Sequence, residues 1–210
     1  MNKTNKFGLI GYYNYTVILT NLSLISSVFG IYMAMQGHVE TAVYCLMVSG
    51  FCDMFDGKVA RTKDRCEAEQ RFGIQLDSLS DLVCFGVLPT VIGYAIGMTE
   101  RLAVFVFFIY VMAALTRLAY FNVMEEERQS KTPEKRKSYT GLPVTAVALI
   151  IPLIYIVGKF VEIKFHLLYG ACMLVIALAF VLPFQLKKPG NVAAVVMVLI
   201  GILEVACMIR

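Results

Sequence analysis

Seven apolar runs of about 20 residues dominate this chain, at 13–35, 39–60, 74–97, 102–123, 141–159, 165–184 and 191–208. That is the length a helix needs to cross the hydrocarbon core of a bilayer. Backbone amides find no water there, so such runs become helices that pair their own polar groups. The links between runs are short, so consecutive segments should lie antiparallel in one bundle. Composition agrees. Of the 210 residues, 59% are hydrophobic, against about 45–50% in soluble domains, and a globule of this size has too much surface to hide the excess. The sequence predicts an all-α polytopic membrane protein, a bundle of six core transmembrane helices plus a seventh, C-terminal span. No small-residue cleavage site follows the first run, so a removable signal peptide is not expected.

Loop charge orients the bundle. Lys3, Lys6, Arg61, Lys63, Arg65, Arg71, Arg128, Lys131, Lys135, Arg136, Lys137, Lys187 and Lys188 fall on one side, and Arg101, Lys159, Lys164 and Arg210 on the other. The richer side should face the cytoplasm. This places the N-terminus inside and, with seven spans, the C-terminus outside, in a multi-pass cell membrane. The net charge of +4 is then a topology signal, suited to membrane lipids, and no nucleic-acid partner is expected. The six cysteines are scattered through separate segments without CxxC pairs, which reads as apolar filler rather than disulfides or a zinc site.

Against this apolar background four carboxylates stand out. An ionised Asp at mid-bilayer costs roughly 2.5–3.5 kcal/mol even on lenient scales. Asp53 and Asp56 nevertheless lie near the end of the second run, and Asp77 and Asp81 near the start of the third. Spacings of three and four put each pair on one helix face, about one turn apart, and the loop between the runs lets the two faces converge at the cytoplasmic side. Four like charges repel unless neutralised. Divalent metal does this most simply: Mg²⁺ takes oxygen ligands, and two ions about 3.5–4 Å apart are a recurring clamp for displacement at phosphorus. No His or Cys is expected beside the acids, which argues against zinc. Gly57 and Ala60 give the second helix a small-residue flank for close approach, and Gly73 does the same at the mouth of the third. Lys58 and Arg61 stand where a diphosphate would be held. The competing reading is a set of membrane-edge salt bridges to Lys58, Arg61 and Arg71.

The segment Asp53-Met-Phe-Asp56-Gly57-Lys58-Val-Ala60-Arg61, followed by Gly73-Ile-Gln-Leu-Asp77-Ser-Leu-Ser-Asp81, resembles the signature of the CDP-alcohol phosphotransferase family, D-x-x-D-G-x-x-A-R then G-x-x-x-D-x-x-x-D. The departure is the spacer between Arg61 and Gly73, eleven residues long and longer than the family pattern. The resemblance covers the first six spans, giving a family domain over 1-190 and an additional hydrophobic helix over 191-210. Residues 72–89, Arg117-Leu-Ala-Tyr-Phe-Asn122 and Tyr139-Thr-Gly-Leu-Pro143 are further similar to the integral-membrane phosphatidylserine synthase branch. The resemblance implies metal binding by Asp53, Asp56 and Asp77 with Asp81 near them, Asp81 as general base, and a cytidine diphosphate site lined by Gly57, Ala60, Arg61 and Gly73. It implies a divalent cofactor, Mg²⁺ or Mn²⁺ with Ca²⁺ as an option, and CDP-diacylglycerol and L-serine as substrates. Relatives are generally homodimers, and Gly86, Gly93 and Gly97 permit close helix packing.

Away from the acids, Arg117 suits a carboxylate or a lipid phosphate because its fork matches two oxygens. Asn122 would help it; the plain alternative is snorkelling to the interface. Asn21 could bond a substrate or simply join two helices. Tyr139 and the Gly141–Pro143 turn border the acceptor pocket or merely start a helix. Two rival readings stay open: the same chemistry with glycerol phosphate, inositol phosphate or choline as acceptor, and a cation transporter using the four acids as an ion site.

Overall fold

The computed structural model describes residues 11–60, 62–131, 138–160, 164–187 and 191–209. Helices α1 (Ile18–Met35) and α2 (Val39–Ala60) are followed by α3 (Glu67–Asp81), which runs through a π-helical turn, Leu82–Val87, into α4 (Leu88–Ala95). Then come α5 (Arg101–Lys131), strand β1 (Ser138–Thr140), α6 (Val147–Phe160), α7 (Phe165–Val181), strand β2 (Gln185–Lys187) and α8 (Asn191–Ile209). With α3 and α4 counted as one rod, each of the seven apolar runs has become a helical rod. By length and composition, Tyr15–Met35, Glu67–Ala95 and Arg101–Glu127 are long and apolar enough to cross a membrane. Exposed Ile25, Phe29, Tyr32, Phe105, Phe108 and Leu203 present a surface that only lipid or another apolar partner suits. The protein is an all-α polytopic membrane protein.

Two turns at one end of the bundle use the same device. After α1, Gly37 takes φ +83, its amide donates to Ala34 O at 2.9 Å, and the His38 amide reaches Met33 O at 2.9 Å. After α4, Gly97 takes φ +109, with matching bonds from Gly97 to Tyr94 O and from Met98 to Gly93 O. A left-handed residue closing these two bonds is a Schellman cap, which favours glycine. Gly97 therefore caps a helix rather than packing one. Gly86 and Gly93 do pack closely, but within the chain: a Cβ would stand 3.0 Å from Leu82 and 3.6 Å from Ala114 at Gly86, and 3.0 Å from Phe107 and 3.1 Å from Tyr169 at Gly93. The expectation that these glycines serve a dimer loses its basis, because α5 and α7 already fill those grooves.

Hydroxyls stitch the first helices together. Ser49 of α2 donates to Ser23 O at 2.9 Å, Ser23 donates to Ser49 O at 3.1 Å, and Ser27 and Ser49 share a bond of 2.8 Å. All three are buried, and in lipid a hydroxyl without a partner is costly. The π turn has an equally local cause. Pro89 has no amide to give the Phe85 carbonyl one turn back. The buried Tyr110 hydroxyl donates to Phe85 O instead, at 2.9 Å, and the Leu88 amide reaches five residues back to Val83 O. Tyr169 holds the next station by donating to Pro89 O at 2.9 Å. The rod that carries Asp77 and Asp81 is thus pinned by α5 and α7.

Helix α3 starts at Glu67, seven residues before the predicted apolar run, because Glu69 accepts a hydrogen bond from the Cys66 amide at 3.2 Å and so caps a polar first turn. Helix α5 likewise runs on to Lys131, through residues such as Glu125 and Glu126 that favour helix once it has formed. The sequence also foresaw no strands. β1 and β2 pair antiparallel, Ser138 opposite Lys187 and Thr140 opposite Gln185, and tie the segment before α6 to the end of α7.

Candidate active site

The acid-bearing ends of α2 and α3 meet. One carboxylate oxygen each from Asp53, Asp56 and Asp77 lies within 4.8 Å of the others. Asp81 sits one turn deeper on α3 and is buried. Asp77 Oδ1 is buried with no hydrogen-bond partner among the described residues. Two nearby cations are engaged elsewhere: Arg71 is paired with Glu67 at 2.7 Å, and exposed Lys58 lies over the Phe55 ring at 4.9 Å. The salt-bridge reading therefore loses two of its three cations, and the third, Arg61, lies outside the described residues. Three converging oxygens and one orphaned buried oxygen fit a hard divalent cation such as Mg²⁺. Thiols do lie close, contrary to expectation. Cys52 precedes Asp53, and Cys84 Sγ is 3.4 Å from Ser23 Oγ and 3.8 Å from Ser80 Oγ. The converging ligand atoms, however, are all oxygen.

Helix α1 forms the third wall. The Thr20 hydroxyl donates to Asp56 Oδ2 at 3.1 Å, and Ser80 donates to Thr20 O at 3.3 Å. The sequence singled out Asn21, which is half-buried one position along. The signal that selects Thr20 was available: Thr20, Ser23 and Ser27 recur at helical spacing, and Asn21 sits off that stripe. Above α3, the chain before α1 packs down on it, with the Tyr12 ring edge-on to Phe72 at 5.6 Å and the Tyr15 hydroxyl 3.1 Å from Thr62 Oγ1.

Asn122 is brought to the acid-bearing helix, its Oδ1 accepting from Ser78 Oγ at 2.9 Å. Arg117 is buried and does not snorkel. Its Nε donates to Leu142 O at 3.1 Å and its guanidinium lies 5.5 Å from the Phe121 ring centre. That contact ties α5 to the turn at Gly141, where φ is +76 and a Cβ would stand 3.0 Å from Phe180 O. The Tyr139 side chain, like Arg61, lies outside the described residues. Gly57, Ala60 and Gly73 are half-buried near the acids, Gly57 directly after Asp56. Over Gly73 lies a cation that the sequence reading used only for topology: a Cβ there would be 3.0 Å from Nη1 of half-buried Arg65.

The family description CDP-alcohol phosphatidyltransferase matches residues 13–183. The chain belongs to this family. The match ends before α8. Among similar proteins, the CDP-diacylglycerol–serine O-phosphatidyltransferase of Saccharomyces cerevisiae is 36% identical over 124 residues, 58% of this chain and 44% of the yeast protein. The archaetidylserine synthase of Methanothermobacter thermautotrophicus is 29% identical over 148 residues, 70% of this chain and 60% of that one. The CDP-diacylglycerol–serine O-phosphatidyltransferase of Helicobacter pylori strain J99 is 31% identical over 162 residues, 73% of this chain and 62% of its relative. The chain thus spans about half to three-fifths of the length of these relatives.

Proposed function

We propose that this chain transfers the phosphatidyl group of CDP-diacylglycerol to L-serine, giving phosphatidylserine and CMP. The observation that carries the reading is the convergence of Asp53, Asp56 and Asp77 on one point, with Asp81 buried one turn below. Serine as the acceptor is supported by the names of the three relatives, each of which specifies it. The serine hydroxyl oxygen bonds to the phosphorus that carries diacylglycerol, and the bond from that phosphorus to CMP breaks. Asp81 accepts the hydroxyl proton. The three outer aspartates would hold Mg²⁺ or Mn²⁺, with Ca²⁺ a further option and two ions the expected number; bound metal neutralises diphosphate charge in such sites. Thr20 fixes the orientation of Asp56, and Ser78 with Asn122 holds α3 against α5 next to Asp77. Gly57, Ala60, Gly73, Lys58 and Arg61 would border the nucleotide. Arg117 acts through the Gly141–Leu142 turn, which it positions.

The site opens at the end of the bundle that the loop cations assign to the cytoplasm, where serine is soluble while the lipid tails stay in the bilayer. A homodimer fits the exposed apolar faces but cannot use Gly86 or Gly93. The transporter reading lacks an acidic track: among the described residues the buried charged side chains are Asp81, Arg117 and Glu204. Glu204 lies on α8, and its Oε2 has no hydrogen-bond partner among the described residues.

The test is CMP release by the purified protein supplied with CDP-diacylglycerol and, separately, serine, glycerol phosphate, inositol phosphate or choline, with and without chelator. Release with serine that chelation stops and Mg²⁺ or Mn²⁺ restores is the expected result. Release only with another acceptor sinks the serine assignment. Metal flux into liposomes without CMP release would sink the enzyme reading.

A further inference from the structure

Two described cations lie in the segment between α2 and α3 and one more on the first turns of α3, and the structure treats them differently. Lys63 lies 3.8 Å from Glu69, and Arg71 is bonded to Glu67 at 2.7 Å. Arg65 has no acidic partner among the described residues, although it is half-buried. Its backbone is fixed where it stands, since the Gln70 side chain donates to Arg65 O at 2.8 Å. Its guanidinium lies across Gly73, with Nη1 3.0 Å from where a Cβ would be. Gly73 precedes Asp77 by four residues on α3, one helical turn or about 6 Å along the axis. A guanidinium with no acidic partner among the described residues is therefore laid over the turn of α3 that precedes Asp77. A half-buried Arg without a counter-ion is an anion receptor, and its fork fits two phosphate oxygens at once.

We propose that Arg65 grips the diphosphate of the CDP-lipid from a seat across Gly73, where an added Cβ would crowd its guanidinium. The inference rests on the reading of the site as one for a CDP-activated lipid. It gives the long spacer a purpose, since the extra chain between Arg61 and Gly73 is what carries a cation back over α3. The contact forms on binding and makes or breaks no covalent bond.

The experiment measures equilibrium binding of CDP-diacylglycerol, and KM and kcat for CMP release, on purified wild type, Arg65→Ala, Arg65→Lys, Gly73→Ala and the Arg65→Ala/Gly73→Ala double variant. Loss of a charge-assisted hydrogen bond corresponds to about ten- to a hundredfold in affinity. Arg65→Ala should weaken CDP-diacylglycerol binding and raise its KM by about tenfold or more, with the KM for serine little moved. Arg65→Lys should recover part of the loss, as a point charge without the fork. Gly73→Ala, which crowds the guanidinium by a few tenths of an ångström, should weaken binding less than Arg65→Ala, and add little once Arg65 is gone. A purely structural role for Gly73 would instead make the two losses add. Folding is checked by size-exclusion profile and thermal midpoint, and Arg65→Lys carries the test if Arg65→Ala does not fold.

Folded Arg65 variants with CDP-diacylglycerol affinity within about twofold of wild type, where the lost bond should cost ten- to a hundredfold, would overturn the assignment and leave the proposed function standing. Wild type that binds no CDP-diacylglycerol overturns both. Vesicles of phosphatidylglycerol form the remaining arm. If Arg65→Ala loses affinity for those vesicles and not for the CDP-lipid, Arg65 is a membrane-surface contact and the proposal fails.

Discussion

A carboxylate in a membrane helix declares itself in a sequence, and a hydroxyl does not. Asp53, Asp56, Asp77 and Asp81 were legible because charge in an apolar run is expensive, and the helical period then put them on facing sides. Thr20 and Ser78 cost little in such a run, and only the assembled helices reveal what they touch. Arg65 was hidden for the opposite reason, being one cation among many in a basic loop whose path no periodicity fixes. Two outcomes belong at this scale. Asp81→Asn should lower kcat by about 10²-fold or more, the usual worth of a general base, while CDP-diacylglycerol binding survives; near-normal turnover in that variant would show that the proton goes elsewhere. Thr20→Val removes the hydroxyl that donates to Asp56 and keeps the shape. It should raise the Mg²⁺ concentration needed for half-maximal activity several-fold (about 1 kcal/mol for one hydrogen bond), and an unchanged metal titration would reduce that bond to packing.

At the level of elements, runs of apolar residues located every rod but misjudged where some rods end. Hydropathy stops at the edge of the lipid, whereas a helix stops where its caps are. Glu69 carries α3 seven residues into water, and α5 persists through charged residues. The π turn was written in Pro89, but reading it required knowing that Tyr110 would stand opposite Phe85 to take the orphaned carbonyl. The two-stranded clasp was not legible at all, because three-residue strands carry too little pattern to register. That clasp leads into the Gly141 turn, where the left-handed backbone and the crowding carbonyls of Phe180 and Leu182 leave no room for a side chain. Gly141→Ala should cost about 1–3 kcal/mol from the backbone alone, read as a lower thermal midpoint in detergent. Activity should fall with it, since Arg117 is bonded to the next residue. A midpoint equal to wild type would mean that the turn relaxes freely.

For the whole molecule, the sidedness drawn from Lys and Arg is the statement with most to lose. Cys66 is exposed in the segment beside the acids, and Glu100 is exposed in the turn at the opposite end of the bundle. In a background with the other cysteines replaced, an impermeant maleimide applied to intact cells should miss Cys66 and label a Glu100→Cys variant. The reverse pattern would invert the topology.

The serine seam between α1 and α2 has a consequence for how the chain enters a membrane. Helix α2 carries Glu40, Asp53, Asp56 and Lys58, charges that weigh against insertion, and the two aspartates are ones proposed to hold metal. Its buried Ser49 is bonded to Ser23 and Ser27 of α1, the immediate predecessor in synthesis, joined to it by a turn closed by one glycine. Biogenesis and catalysis thus pull on the same helix in opposite directions, and the seam is where they are reconciled: α2 should leave the insertion machinery as half of a hairpin rather than as a solitary span. Replacing Ser23, Ser27 and Ser49 together with alanine should then lower the fraction of newly made chains that integrate, before any effect on turnover is seen. Full integration of that triple variant would mean that Asp53 and Asp56 are tolerated in transit without help from their neighbour.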